Sequence, residues 1–435
     1  MAEAADIVHL LRRTEFVARP SRVAQLTPLS LAAAVDDVLD VAPHPVPQIP
    51  GHLLHDDEGR RWEQFVDAYH WWADLMVHQP RPVREKMTLF WHGHFVSALW
   101  DGVHEVPHMM RQIELFRTHG MGSFVTLTHQ VAIDPAMLLY LSNGNNVKGA
   151  PNDNFARELM ELFTLGVGNY SEGDVLASAR AWTGHNYDEG THGYVFVPER
   201  HDAGDKPFFG VTRNWDGPEI IEHILRNNAT TRLIAARFIV RKLWEFFAYA
   251  RPAQNIVDEL AADFVAHDLA ITPLLRALLR RPEFYSAEAR GGLVRTPTDF
   301  AVAVMYHGSL TAAQVGLAGW AVKTGQILLN PPNVAGWKSN EYWLSTSALN
   351  GRAGFARGAT MWLRSDARFD HIVGLPADAA VAEVARTFGI TSMTAATRDA
   401  LVAAHQAERD ADPVGWWAVT NLVTMVMLAP EFHVG

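Results

Sequence analysis

The sequence predicts an all-α fold: a large multi-helix domain with a small β-hairpin insertion near residues 193–212. Two observations predict this class. Apolar residues recur at spacings of three and four along most of the chain, which is the period of an amphipathic helix. Strand signals are few, and they are confined to the region of the expected hairpin. Helices therefore have to supply almost all of the core.

The composition is that of an ordinary globular chain. Its 435 residues are 48% apolar, with 48 acidic against 37 basic side chains and a formal net charge of −11. An acidic chain has no general electrostatic reason to meet a phosphate backbone, so we expect no nucleic-acid partner. The first residues show neither a signal peptide nor a membrane anchor. We expect no membrane insertion and a cytoplasmic location, with export of a processed form left open.

A stripe of apolar side chains at helical spacing marks the first long helix, and two prolines close it. The stripe consists of Trp62, Phe65, Tyr69, Trp72 and Met76, followed by Pro80 and Pro82. The next pattern begins near Val83 and extends towards Leu99. Further helical patterns lie around 107–119, 123–132, 135–141, 154–165, 172–183, 219–227, 231–248, 254–267, 272–280, 297–307, 345–363, 378–388, 393–408 and 415–428.

The hairpin is predicted from two short apolar runs, 194–197 and 207–211, that flank a polar loop. Two segments, 42–51 and 330–337, contain too much Pro, Gly and Asn for a helix and are predicted to be loops. We expect a main helical domain over 1–290 and a C-terminal helical subdomain over 291–435, with one continuous domain as the alternative.

The segment 151–166 carries two candidate catalytic carboxylates. On a helical wheel Asn154, Glu158 and Glu161 fall within a sector of roughly 60° that borders an apolar stripe. Both glutamates are candidates for acid–base catalysis or for metal ligation, and the alternative is that they are solvated or form structural ion pairs. The loop before them is rich in Asn, Gly and Asp, which suits ligand binding at a helix N-terminus. Asn152, Asn154 and Arg157 are therefore candidate substrate-binding residues.

A histidine pair, His92 and His94, is the second candidate. In extended or irregular backbone an i, i+2 pair points both rings the same way and is a common arrangement of metal ligands. In a continuous helix the same pair diverges by about 200°. The two alternatives are thus a pair of metal ligands and structural histidines in an aromatic cluster.

The polar loop 199–206 is the third candidate. His201 and Asp202 could act as catalytic base or ligand, and Lys206 could bind an anionic substrate. His185 follows a predicted helix end and could converge with this loop. The alternative is an ordinary polar turn. In the predicted loop 330–337, Asn333 and Trp337 are further candidates for substrate binding.

The chain has 21 histidines and no cysteine. Without thiolates, a divalent metal ion has to be held by imidazole and carboxylate groups. The common phosphate-binding, Ser-hydrolase, zinc-protease and di-iron motifs are all missing from the sequence. The candidate catalytic and metal-binding residues are concentrated in the segments 92–94, 154–161 and 201–206.

Several of these blocks closely resemble the bacterial family called domain of unknown function 1800. The resemblance rests on the strings at 86–95, 134–138, 152–168, 171–184, 201–206, 242–244 and 331–337. Phe155 stands where the family often has tyrosine, and Trp182 where leucine is usual. The resemblance implies a helical fold and no particular activity, and family members are often exported.

Three functions are consistent with the sequence. The first is a metal-dependent hydrolase in which His92, His94, Glu158 and Glu161 bind one or two divalent ions, with His201 or Asp202 contributing. The second is a metal-free glycoside-acting enzyme with paired carboxylates. The third is a helical binding or structural protein without catalysis, and neither the substrate nor the oligomeric state can be read from the sequence.

Overall fold

The computed structural model describes residues 2–411 and 416–434, and it confirms the all-α class. The α-helices span Ala4–Thr14, Pro20–Leu26, Leu31–Leu39, Arg61–His78, Val83–His94, Val106–His119, Phe124–Ala132, Pro135–Tyr140, Asn154–Glu158, Glu172–Ala181, Gly217–Glu222, Ala229–Phe247, Gln254–Ala266, Ile271–Leu279, Pro297–Gly308, Leu317–Thr324, Thr346–Ser365, Ala377–Thr387, Ala395–Ala411, Trp416–Met427 and Pro430–His433. None of these described helices is long and apolar enough to cross a membrane.

The β insertion consists of two hairpins. Strand His185–Asp188 pairs antiparallel with Gly193–Phe196, and Lys206–Phe208 pairs with Val211–Arg213. The prediction of one hairpin near 193–212 is correct about the insertion but wrong about the pairing of its strands. Asp188 is followed by a tight turn in which its carboxylate accepts hydrogen bonds from Thr191. The chain therefore reverses here, and Gly193–Phe196 pairs with the strand that precedes it.

The predicted helix over 154–165 has an irregular second half. The chain is α-helical from Asn154 to Glu158 and then forms a π-helical turn over Leu159–Thr164. Gly166 ends the segment at φ +83°, a left-handed conformation that favours glycine. Asn154, which the sequence favours as the N-cap, is the first helical residue, and the N-cap is Asp153. A π turn widens the helix by one residue, because its hydrogen bonds join residues five apart.

Two further boundaries differ from the sequence patterns. The helix that begins at Val83 ends at His94, five residues before the predicted limit. The last long helix is described from Trp416, and residue 415 of the predicted 415–428 range lies outside the described residues. Trp62, assigned to a core stripe, is 56% exposed, whereas the other four stripe residues are buried.

The helix Val83–His94 is buried along most of its length and connects distant parts of the chain. Lys86 donates to Asp299 at 2.5 Å, and the backbone N–H of Leu329 donates to His92 at 3.0 Å. These contacts cross the predicted boundary at residue 290. The division into a main domain and a C-terminal subdomain remains a prediction.

A fully buried ion pair ties this helix to its neighbour. The Glu85 carboxylate accepts hydrogen bonds from Arg117 Nε at 2.6 Å and Nη2 at 2.9 Å, and from Trp72 Nε1 at 2.8 Å. Neither charged side chain is exposed. Burying a charge is costly unless it is paired and hydrogen-bonded, so each partner depends on the other.

Replacing Glu85 by alanine would leave the buried guanidinium group of Arg117 without its charged partner. We expect Glu85→Ala to lower the free energy of unfolding by roughly 3–5 kcal/mol, measured by urea denaturation. The matched control is Glu172→Ala, which removes the exposed partner of Arg157 and is expected to leave the midpoint nearly unchanged. Equal effects of the two variants would contradict this role of the buried pair.

Candidate functional site

Both histidines of the pair at 92–94 are buried and engaged within the protein. His92 Nε2 accepts the Leu329 N–H, and its ring lies against the rings of Trp72 and Trp337. His94 Nε2 donates to the carbonyl of Phe163 at 3.0 Å. Burial lowers the pKa of His92 to about 3 and holds the pKa of His94 well below its usual value. Both rings are therefore neutral near pH 7.

His94 lies against the last turn of the π segment. Its Nε2–H satisfies the carbonyl of Phe163, and Lys242 Nζ donates to the carbonyl of Leu162 at 3.4 Å. Lys242 Nζ also lies 3.1 Å from His94 Nδ1. Two side chains from other helices thus donate to carbonyl groups of the last turn, which have no partner within the helix.

The four predicted metal ligands do not form one group. Within residues 2–411 and 416–434, two sets of three His or acidic side chains bring their ligand atoms within 4.8 Å of one another, and neither set contains His92, His94, Glu158 or Glu161. The continuous helix makes the two histidines diverge, as geometry requires. The hydrogen bonds to Leu329 and Phe163 then occupy a nitrogen of each ring.

The two glutamates of the π segment have different environments. Glu161 accepts a short hydrogen bond from the Tyr170 hydroxyl. Glu158 is half-buried, and its Oε2 atom is buried without a partner. Burial, with Glu161 nearby, raises the pKa of Glu158. Glu158 therefore has the properties of an acid that holds its proton above the usual range, although no described metal group includes it.

The substrate-binding candidates of this block have structural partners. Arg157 pairs with Asp153 at 2.9 Å and with Glu172 at 2.8 Å. Asn152 Oδ1 accepts the backbone N–H of Asn154 at 3.0 Å. These contacts build the start of the helix and engage the side chains of Arg157 and Asn152, whereas the side chain of Asn154 is exposed.

A cavity of about 230 Å³ opens where the loop 330–337 meets the buried helix. Its wall includes His94, Lys242, Glu245 and Trp337. Gly336, at φ +78°, allows the loop to approach, because a Cβ atom there would lie 2.3 Å from the carbonyl oxygen of Gly93. The sequence did not single out the chemistry of Lys242 or Glu245, since both lie in an otherwise ordinary amphipathic helix.

In the same loop Asn333 has a local role. Its Oδ1 atom accepts the backbone N–H of Ala335 at 3.0 Å, and its carbonyl accepts the N–H of Gly336 at 2.9 Å. The side chain forms a turn and lies outside the cavity wall described above. Trp337, in contrast, lies in that wall.

Of the two sets of potential metal ligands, the better candidate consists of His185, His201 and Asp216. His185 Nε2 lies 2.8 Å from Asp216 Oδ1, and its Nδ1 lies 2.9 Å from the Tyr194 hydroxyl. His201 Nδ1 donates to the carbonyl of Thr183 at 2.9 Å, which leaves Nε2 as the ring atom available to a ligand. A histidine that binds a metal usually donates its other ring N–H in this way.

Asp216 completes the set from the start of a helix. It is the N-cap residue of Gly217–Glu222, in a reciprocal capping box with Glu219. Its side chain is 46% exposed, whereas that of His185 is 3% exposed. The carboxylate of Asp216 is therefore accessible to solvent, whereas the imidazole of His185 is enclosed by the protein. The convergence of His185 with the loop of His201 was predictable from the sequence, whereas Asp216 was not, because its sequence signal is that of a helix cap.

A second set, Glu105, His108 and His192, also meets the distance criterion. His108 Nε2 contacts the Tyr187 hydroxyl at 3.0 Å and Glu105 at 3.2 Å, and its Nδ1 atom is buried without a partner. No hydrogen bond through the opposite nitrogen orients this ring for a metal. The first set is therefore the better candidate.

The other two residues of the 201–206 block are held by strong partners. Arg180 Nε donates to Asp202 at 2.7 Å, and this hydrogen bond lowers the pKa of Asp202 to about 2. Such a carboxylate is a weak base. Lys206 is buried and donates to Asn214 Oδ1 at 3.0 Å and to the carbonyl of Trp215 at 2.9 Å. Both residues fix the loop on which His201 lies.

The asparagine-rich loop 143–154 holds the strand of His185 in position through hydrogen bonds. Asn146 is fully buried, and its side chain donates to the carbonyl of Ala179 at 2.9 Å and accepts the N–H of Asn152 at 2.9 Å. Its carbonyl accepts the N–H of Gly184 at 3.1 Å. Asn143 Nδ2 donates to the carbonyl of His185 at 2.6 Å. The loop thus positions the strand that carries His185.

Comparison with known proteins confirms the family resemblance. A family model described as "Protein of unknown function (DUF1800)" matches residues 9–434, nearly the whole chain. Neither the curated proteins nor the solved structures contain a match to this chain.

The environment of Lys242 predicts unusual amine reactivity. Burial lowers its pKa to about 8, below the ordinary value of 10.5. The neutral amine should therefore become available about two pH units earlier than in a free lysine. We expect the rate of acetylation by acetic anhydride, followed by peptide mass spectrometry, to rise with a midpoint near pH 8.

The exposed Lys148, measured in the same digest, normalises the reagent. The His94→Ala variant tests whether the midpoint depends on the neighbouring ring, which contributes no charge while neutral, and we expect it to stay within one pH unit. A Lys242 midpoint above pH 10 in the wild type would contradict the buried environment.

Proposed function

The chain belongs to the DUF1800 family of proteins of unknown function, and we propose that it is a metal-dependent hydrolase with one divalent cation bound by His185, His201 and Asp216. The observation that carries this proposal is the convergence of their ligand atoms to within 4.8 Å of one another. Two imidazoles and one carboxylate form a donor set that suits Zn²⁺ and other borderline divalent cations.

The number of ligands favours catalysis over a structural role. Structural zinc sites are usually closed by four protein ligands, whereas catalytic sites have three and leave a position for water or substrate. Here the half-exposed carboxylate of Asp216 supplies the open side. A divalent ion with such ligands polarises a carbonyl or phosphoryl oxygen and activates water at neutral pH.

The surrounding groups have the roles that a metal site needs. The carbonyl of Thr183 and the hydroxyl of Tyr194 orient the two rings through their Nδ1 atoms. The Arg180–Asp202 ion pair fixes the loop next to His201. A donor set held by such partners loses little conformational entropy when it binds an ion.

The glycoside-acting alternative has less support. It requires two carboxylates that face one substrate, one protonated and one ionised. Glu158 meets the first requirement through its raised pKa. Glu161, however, is engaged by Tyr170. Neither glutamate lines the cavity of about 230 Å³ beside Trp337.

Isothermal titration of the chelator-treated full chain with Zn²⁺ or Mn²⁺ tests the site directly. We expect one ion per chain, and a loss of affinity of at least tenfold in Asp216→Asn. Asparagine is as good an N-cap as aspartate, so this variant removes the charge of a ligand without removing the cap. His201→Ala should lose binding as well.

The control is His371→Ala, which changes an exposed histidine paired with Glu383 and should leave binding unchanged. For activity, we expect hydrolysis of at least one ester in a panel of p-nitrophenyl carboxylate and phosphate esters, lost with chelator and restored by the metal. Substoichiometric binding, or binding that survives both ligand variants, would reject the proposal. Turnover of p-nitrophenyl glycosides in chelator would favour the carboxylate alternative.

A further inference from the structure

A small cavity behind the buried helix is lined by an excess of cationic side chains. Its volume is about 60 Å³, and its wall contains Arg12, Arg13, Lys86 and Arg295 with only two acids, Asp299 and Glu245. Arg13, Lys86 and Arg295 are 4–6% exposed. The lining therefore has two more formal positive than negative charges.

The protein neutralises this charge incompletely. Lys86 pairs with Asp299 at 2.5 Å. The other acid, Glu245, lies in the wall shared with the larger cavity and acts electrostatically on Lys242. Burial lowers the pKa of Arg295 to about 9, and the neighbouring Arg12 and Arg13 contribute to this shift. The cations thus repel one another where burial leaves little water to screen them.

Two of the cationic side chains that line this cavity each have one buried donor atom without a partner. Arg295 Nη1 and Arg13 Nε are both buried and make no hydrogen bond to the protein. Their guanidinium groups are otherwise held in place: Arg295 stacks on Phe432 at 4.7 Å, and Arg13 Nη2 donates to the carbonyl of Ala289. An unpaired buried charge is expensive, so rigid cations with unused donors indicate a missing anionic partner.

We propose that this cavity binds the phosphate group of a small organic phosphate, with Arg13 and Arg295 as its principal donors. A phosphate monoester carries close to two negative charges at pH 7, which matches the excess charge of the lining. Guanidinium groups are the preferred donors to phosphate oxygens because their planar fork matches the geometry. The proposal does not depend on the metal site.

The rest of the ligand has a place in the adjoining cavity. The 60 Å³ space accepts little more than the anionic group, but it shares Glu245, Phe246, Thr296 and Ser339 with the larger cavity of about 230 Å³. That cavity is lined by Phe90, Trp337 and Trp343, and the indole N–H groups of both tryptophans are buried without partners. A ring that carries hydrogen-bond acceptors fits this wall. The expected ligand is a phosphorylated cyclic molecule.

Titration of the full chain with inorganic phosphate at constant ionic strength tests the anion site. We expect saturable binding of one phosphate per chain by calorimetry, at least tenfold weaker binding in Arg295→Gln, and at least tenfold weaker binding of acetate by the wild type. Arg290→Gln is the matched control, since Arg290 lies outside this wall and pairs with Asp6. Its affinity should equal that of the wild type.

A surface variant keeps the test valid if Arg295→Gln does not fold. Ser339 is exposed on the rim shared by the two cavities, so Ser339→Glu adds a repulsive carboxylate without disturbing the buried cations. We expect it to weaken phosphate binding several-fold, whereas Ser365→Glu, an equal charge at an exposed position outside both walls, should not. Absence of saturable binding to the wild type, equal effects of the two serine variants, or acetate binding as tight as phosphate would overturn the proposal.

Discussion

The geometry of the candidate metal site depends on the hydrogen bonds of one buried side chain, Asn146. Its amide and backbone groups connect the end of one helix at Ala179, the start of the next segment at Asn152, and the turn at Gly184 that leads into the strand of His185. Buried polar groups are normally paired, so these hydrogen bonds hold the three segments together. Gly184, at φ +82°, completes the turn, because a Cβ atom there would lie 2.7 Å from the carbonyl oxygen of Val197.

A second constraint of the same kind operates at the buried helix. The segment Leu159–Thr164 ends with carbonyl groups that have no partner within the helix, and His94 and Lys242 supply the donors. The two residues are thereby held beside a cavity, and one face of that cavity continues towards the cationic wall at Arg295. The proposed metal and phosphate sites are therefore built by different segments. Each can be lost without the other, which makes the two proposals separable.

Helical periodicity was sufficient to predict the fold class and most helices, because the period of an apolar stripe is a local property. It could not predict the π turn, since that turn is stabilised by His94 and Lys242 from other parts of the chain. The same reasoning applies to the site. The polar loops of His201 and His185 suggest that these two residues are neighbours. Asp216 has the sequence signal of a helix cap, and only the folded chain brings it to the two histidines. The buried cations were missed because Arg and Lys are normally exposed.

The proposed function requires a divalent cation to bind at His185, His201 and Asp216. The most direct measurement is the anomalous scattering of Zn²⁺ in crystals of the full chain, recorded on both sides of the zinc absorption edge. We expect one anomalous peak per chain at about 2.0–2.2 Å from His185 Nε2, His201 Nε2 and an oxygen of Asp216. A peak at His92 and His94, a peak at the Glu105–His108–His192 set alone, or no ordered peak in a zinc-soaked crystal would contradict the central claim.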